Sequence, residues 1–167
     1  EDVLAQMLLR ISQRLHDGGA RCVASAAGPR EALEALLRFH VSFALSQPEL
    51  ITVHGRELGC VPEPARRRVR RLQRLYVEEW VGVLAELSPG APPARLRTAV
   101  HAAIGLLNST PYTAGTDGAT DLGADAMAAL LTDMARAALL AAGPGRPAPA
   151  LARPHARQKS NMSPKLT

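Results

Sequence analysis

Apolar side chains recur from Val69 through Leu72, Tyr76, Trp80, Val83 and Leu84 to Leu87, at offsets of 0, 3, 7, 11, 14, 15 and 18. Steps of three and four keep one face of an α-helix apolar, whereas a strand alternates its faces at every residue. A stripe held for about five turns commits the chain to helix here. It also obliges other elements to cover that face with apolar stripes of their own.

The rest of the chain supplies them. Prolines and glycines cut it into helical blocks. The first runs from about Asp2 to Ala27, with Leu4, Met7, Leu8, Ile11, Leu15 and Cys22 near one face. Gly18 and Gly19 weaken its middle, where a kink is expected. Pro29 opens a second block reaching Ser46, in which Leu33, Leu36, Leu37, His40 and Phe43 share a side. A short block from Pro48 to Leu58 precedes the loop Gly59–Pro64. Ser88-Pro89-Gly90 stops the long stripe, and Pro93 starts another helix reaching Thr110, with Val100, Ile104 and Leu107 in phase. A Gly/Thr/Asp loop expected to be mobile, from Thr113 to about Gly123, leads to a last helix from about Ala124 to Ala142. The apolar residues, 47% of the chain, are mostly Ala, Leu and Val, and only 3% of the chain is aromatic. That balance favours helix over sheet. The expected architecture is all-α, an antiparallel bundle of about six helices forming one domain over residues 1–142. Residues 143–167 alternate Pro, Gly, Ala and Arg without period and read as a disordered tail. Its last stretch, Gln158–Thr167, changes character again and reads equally as native or as a cloning scar.

The last helix differs in kind from the others. Met127, Leu130, Leu131, Met134, Ala138 and Leu139 are apolar, yet so is most of the opposite side, leaving Thr132, Asp133 and Arg136 as a narrow polar strip. A helix that apolar must be covered on more than one face. The domain's own core covers one, and a second copy of the chain is the natural cover for the other.

Charge and cysteine usage narrow the function classes. The net charge is +5, but six arginines lie within Arg66–Arg74 and others in the tail, so the total says little about a nucleic-acid partner. Cys22 and Cys60 form neither a CxxC nor a zinc spacing, and two isolated thiols suit a reducing, cytoplasmic setting. No apolar run reaches the ~20 residues of a membrane span, so no membrane role is expected. Nucleophile elbows, P-loops and the repeated Glu-x-x-His pairs of di-iron bundles are missing. Neither catalysis nor a cofactor is expected.

Local wording carries a resemblance. Arg38-Phe39-His40-Val41-Ser42-Phe43-Ala44-Leu45-Ser46-Gln47-Pro48-Glu49-Leu50 resembles the helix–proline–short-helix passage of TetR-family regulators. Arg56-Glu57-Leu58 ahead of a proline loop, Tyr76-Val77-Glu78-Glu79-Trp80 and Gly105-Leu106-Leu107-Asn108-Ser109-Thr110-Pro111 look similar to an actinobacterial branch of that family. Glu1-Asp2-Val3-Leu4 is similar to the junction just after its helix-turn-helix. The resemblance spans about Glu1 to Ala142 and implies the effector-binding and dimerisation domain of a repressor, without the DNA-reading head. It implies a homodimer whose last two helices form a four-helix bundle, with Val100, Ile104, Leu107, Met127, Leu130, Leu131, Met134 and Ala138 as candidate interface residues. Operator DNA would be reached only through the absent head. A small lipophilic effector, for example a fatty acid or an acyl-CoA, would occupy a pocket among the helices.

Candidate pocket residues are Phe39, His40, Phe43, His54, Glu57, Tyr76, Trp80, His101 and Asn108. The aromatics read as pocket wall or as ordinary core, and one side chain can be both. His54 and Glu57 are three apart and share a helix side, one pair where a metal wants three or four ligands, so no metal is expected. Asn108 reads as a pocket hydrogen-bonder or a turn residue. The Arg66–Arg74 run, placed against the helix dipole, reads as a solvated face or as a seat for an anionic headgroup such as the phosphates of an acyl-CoA. Two other classes stay open: a free-standing helical lipid- or metabolite-binding module, and a helical enzyme. A helix-turn-helix segment directly upstream of Glu1 would favour the regulator; an initiator Met or a signal peptide there, the free-standing module.

Overall fold

The computed structural model of the chain describes residues 2–109 and 122–143. Within them lie six α-helices, a 3-10 turn and no strand: α1 (Asp2–Ala24), α2 (Pro29–Ser46), α3 (Pro48–Arg56), the 3-10 turn (Glu57–Cys60), α4 (Glu63–Leu87), α5 (Pro93–Leu107) and α6 (Ala124–Leu140). The expected loop over 113–121 and the tail beyond 143 lie outside the described residues.

Four of the six helices carry proline at their first or second position, at Pro29, Pro48, Pro64 and Pro93. The first helical turn has N–H groups with no partner inside the helix, so a residue lacking one costs nothing there, and its fixed φ suits the helix. This is why proline punctuation marks the helix starts. The α2 start is reinforced by Glu31, whose carboxylate accepts a hydrogen bond from the Ala27 N–H at 3.0 Å. At the α4 start, Glu63 pairs with Arg66 and Arg67 and offsets part of the cation load.

α1 and α2, α4 and α5, and α5 and α6 run antiparallel, whereas α1 and α4 run parallel, with Leu8 clustering with Val69 and Gly19 facing Tyr76. Gly18 of α1 faces Phe39 of α2, while Arg14 of α1 lies over Phe43 and donates to Gln47. Arg97, near the α5 start, bonds Glu78 in α4 across the tight turn that contains Gly90, at φ +86. Arg95 at the start of α5 donates to the carbonyls of Ala141 and Ala142, just past the end of α6. The main core is built around Leu36, Leu37, Trp80, Leu84, Val100, Leu107 and Leu139. A smaller cluster of Ala5, Leu8, Val61 and Val69 closes the other end.

α1 stays helical through Gly18-Gly19, the pair expected to weaken its middle. A Cβ on Gly18 would collide with the Phe39 ring, and one on Gly19 would lie 2.6 Å from Tyr76. The two glycines let α1 close onto α2 and α4. Gly19→Ala is therefore expected to destabilise the chain by about 1–3 kcal/mol through overpacking, even after the ~1 kcal/mol that Ala gains in helix propensity. Gly82, in the middle of α4, has open space where its Cβ would be. There Gly82→Ala should stabilise by about 0.5–1 kcal/mol. Urea unfolding of both variants checks this pair of opposite signs.

Candidate functional site

Four helices enclose a cavity of about 260 Å³. Its polar end is formed by His40 from α2, Tyr76 from α4 and Asn108 at the C-cap of α5. Leu15, Val77 and Ile104 give it an apolar wall, and Ser12, Gln73 and His101 complete the lining.

The three residues of the polar end form one hydrogen-bonded chain. His40 Nδ1 lies 2.9 Å from Tyr76 Oη, and Nε2 lies 3.0 Å from Asn108 Oδ1. Burial pulls the His40 imidazole down to about 4, although its bond to Asn108 resists, so the ring is neutral at pH 7. A carbonyl oxygen only accepts, so Nε2–H donates to Asn108 Oδ1. Nδ1 then carries no proton and accepts from the Tyr76 hydroxyl. Burial also raises Tyr76 above its usual range, which keeps that donor protonated. His40 and Tyr76 stack at 14° with centroids 5.8 Å apart, and Trp80 stands edge-on to both. The arrangement holds a neutral polar group rigidly inside an apolar setting, and the cavity lining carries no carboxylate or guanidinium.

Of the nine candidate pocket residues, His40, Tyr76, His101 and Asn108 line this cavity. Trp80 is fully buried behind them. Phe43 meets His40 edge-on at 6.4 Å but lines a separate surface groove of about 640 Å³ with Val3, Met7, Arg10 and Leu50. Phe39 borders another recess, against Gly18 and Cys22. Glu57 opens the 3-10 turn and is not part of this lining, and the His54 side chain lies outside the described residues. Among the described residues, no group of three or more His, Cys, Asp or Glu is placed to hold a metal ion. No helix among them is long and apolar enough to cross a membrane.

Sequence reasoning missed the contribution of α1. Ser12, 2% exposed, sits in the apolar stripe between Leu8 and Leu15. A small hydroxyl inside an otherwise apolar face was the available signal. Ile104, a candidate interface residue, lines the cavity.

The interface candidates divide further. Val100 and Leu107 are fully buried in this chain's own core, and Leu131 is 7% exposed, so none of the three is available to a second copy. The inner face of α6 is Leu131, Ala135 and Leu139, spaced by four. The outer face carries Leu130, 45% exposed, and Met134, 47% exposed, with Leu140 also uncovered. Met127 and Ala138 are half-buried at its edges. The neighbouring surface of α5 is small, with Thr98, Ala102 and Gly105 exposed. Arg136 ties α6 to α2: its guanidinium meets Glu34 through two bonds of 2.7 and 2.8 Å. That bond holds the Glu34 carboxyl below its usual value.

The family model for the tetracyclin repressor-like C-terminal domain matches residues 26–139. The fold is similar to that of a TetR-family transcriptional regulator from Bordetella parapertussis, with a TM-score of 0.67 and 17% identity, covering 80% of this chain and 69% of that one. It is also similar to the TetR family transcriptional regulator PfmR from Thermus thermophilus, with a TM-score of 0.64 and 15% identity, covering 86% of this chain and 76% of that one. Among proteins of curated function, none matches the sequence.

Proposed function

The chain belongs to the tetracyclin repressor-like C-terminal domain family, and from that membership we propose that it is the ligand-sensing and dimerisation part of a cytoplasmic transcriptional repressor answering to a small lipophilic effector. Regulators of this family act as dimers that bind DNA and small-molecule effectors. In this reading the chain itself performs no catalysis, and operator contact belongs to a head outside it. The observation that carries the sensing role is the cavity with its neutral Tyr76–His40–Asn108 chain. Pockets that bind small molecules are mostly apolar with a few fixed polar groups, and this one has that composition.

Its position supports a mechanical consequence. Ile104 and Asn108 belong to the end of α5, and α5 is the principal support of α6. A ligand that spreads α4 from α5 therefore moves the surface offered to a second copy. The Arg136–Glu34 bridge carries displacement of α2 to the same helix. The effector's leverage equals its differential affinity for the two arrangements, so a 100-fold change in operator affinity needs about 2.7 kcal/mol.

Filling the cavity tests the sensing role. Wild-type chain, screened against fatty acids and neutral lipophilic compounds, is expected to show saturable heat on titration together with a change in the fluorescence of Trp80, the sole tryptophan. Ile104→Phe should abolish both while leaving the helical spectrum intact. A ligand that binds this variant as tightly as wild type would remove the cavity from consideration.

A further inference from the structure

A second opening lies directly beside the cavity. It is a surface cleft of about 290 Å³ between α4 and α5, and Gln73, Val77 and His101 line both spaces. Three side chains shared between them make the two compartments neighbours with a common wall. By itself the inner cavity, about 260 Å³, falls short of the roughly 300–1,000 Å³ typical of ligand pockets, and the cleft brings the pair within it.

The compartments differ in charge. The inner one has no carboxylate or guanidinium and a neutral imidazole. The outer one carries Arg70, Arg74, Arg97 and Glu78. Glu78 is taken by Arg97 through three bonds of 2.8 to 3.0 Å, which cancels one cation with one anion. Arg66 and Arg67 are likewise held by Glu63. Arg70 and Arg74 are exposed, four residues apart on one side of α4, and paired with no carboxylate among the described residues. Within the arginine run, Arg66 and Arg67 thus share the single carboxylate of Glu63, while Arg70 and Arg74 leave the cleft with a surplus of positive charge.

We propose that cavity and cleft form one divided site for an anionic amphiphile, whose uncharged end enters the His40–Tyr76–Asn108 chamber while its phosphate or carboxylate stays outside between Arg70 and Arg74. The inference rests on the sensing role proposed above and gives it a ligand class. An anion forced into the chamber would be stripped of water with no cation to meet it, which is costly. Left in the cleft, it meets planar guanidinium groups whose forked N–H donors suit phosphate and carboxylate oxygens. His101 stands at the boundary, on the wall the two spaces share.

Three eight-carbon probes separate the parts: octyl phosphate, octanoate and 1-octanol, titrated into the full chain at low salt. The two anions are expected to bind at least about tenfold more tightly than the alcohol, the phosphate most tightly, with the advantage shrinking as salt rises. Arg70→Ala/Arg74→Ala should remove the advantage and leave 1-octanol affinity unchanged; Arg70→Lys/Arg74→Lys should restore part of it. Ile104→Phe should abolish binding of all three. Both arginines are exposed, so the double variant is expected to keep its unfolding midpoint. If the three probes bind equally, or if the anionic advantage survives the double alanine variant, while Ile104→Phe still abolishes binding, the divided site is refuted and the sensing cavity stands. If binding of all three ignores Ile104→Phe, both are refuted.

Discussion

Acidification from pH 7 to pH 4 is expected to cost the folded chain about 3 kcal/mol through His40 alone. The ring titrates at about 4 in the folded chain, against 6.5 for an unperturbed histidine. Between those values the unfolded chain binds a proton that the folded chain refuses, so stability rises with pH across the window. The contribution is complete above 6.5 and is lost as pH falls through 4. At 1.36 kcal/mol for each pH unit, the whole window is worth about 3 kcal/mol and its upper part, from pH 6.5 to 5, about 2 kcal/mol. That upper part isolates the histidine. The lowered carboxyls, Glu34 and Asp17, give up their contributions only below their ordinary values of 4.5 and 3.8. Urea unfolding at pH 7, 6 and 5 should show the slope in wild type. His40→Gln, which keeps an amide between Tyr76 and Asn108 but has nothing to titrate, should be less stable at pH 7 and nearly flat. A slope shared by both proteins would mean that His40 is not the group responsible.

The same residue shows what a sequence can and cannot disclose. That His40 lies on the apolar face of α2 follows from its phase with Leu33, Leu36 and Leu37, and the structure buries all four. That both its nitrogens are engaged, one by a residue 36 positions away and the other by one 68 away, is a property of packing that no local pattern contains. Helix starts were legible because proline is welcome in a first turn and unwelcome later. Helix ends were less so: α5 stops at Leu107 rather than Thr110, and α1 at Ala24 rather than Ala27. Turn-forming Asn108-Ser109 and the approach to Gly28-Pro29 close each helix ahead of the proline. Gly18 and Gly19 carried two meanings, a weak point or a place of close approach, and only the position of Phe39 and Tyr76 decides between them. The arginine run was visible as charge, but its division into paired and unpaired members depends on where Glu63 and Glu78 fall. The sidedness of α6 was illegible for a simpler reason. When both faces are Ala and Leu, periodicity has no contrast from which to read a phase.

That missing contrast is what the second large effect exploits. Leu130→Arg combined with Met134→Arg is expected to convert the chain from a dimer to a single subunit, raising the dimer dissociation constant by more than about 100-fold, or about 2.7 kcal/mol. The two side chains are four residues apart on the outer face of α6, each nearly half exposed in the isolated subunit. In a two-fold interface each substitution occurs twice, so four guanidinium groups would be brought into an apolar contact without carboxylate partners. Neither residue belongs to the subunit's own buried core, so helix content should survive. Leu131→Arg supplies the contrast. Leu131, one position along, packs inward with Ala135 and Leu139. A charge there should unfold the subunit, costing on the order of 3–5 kcal/mol, instead of merely separating two intact copies. Light scattering and circular dichroism read the two outcomes apart: a small, helical particle for the double variant, and loss of helix for Leu131→Arg. A double variant that still runs as a dimer would show that copies of the chain meet on some surface other than α6, and the link drawn from cavity through α5 to the subunit interface would lose its last step.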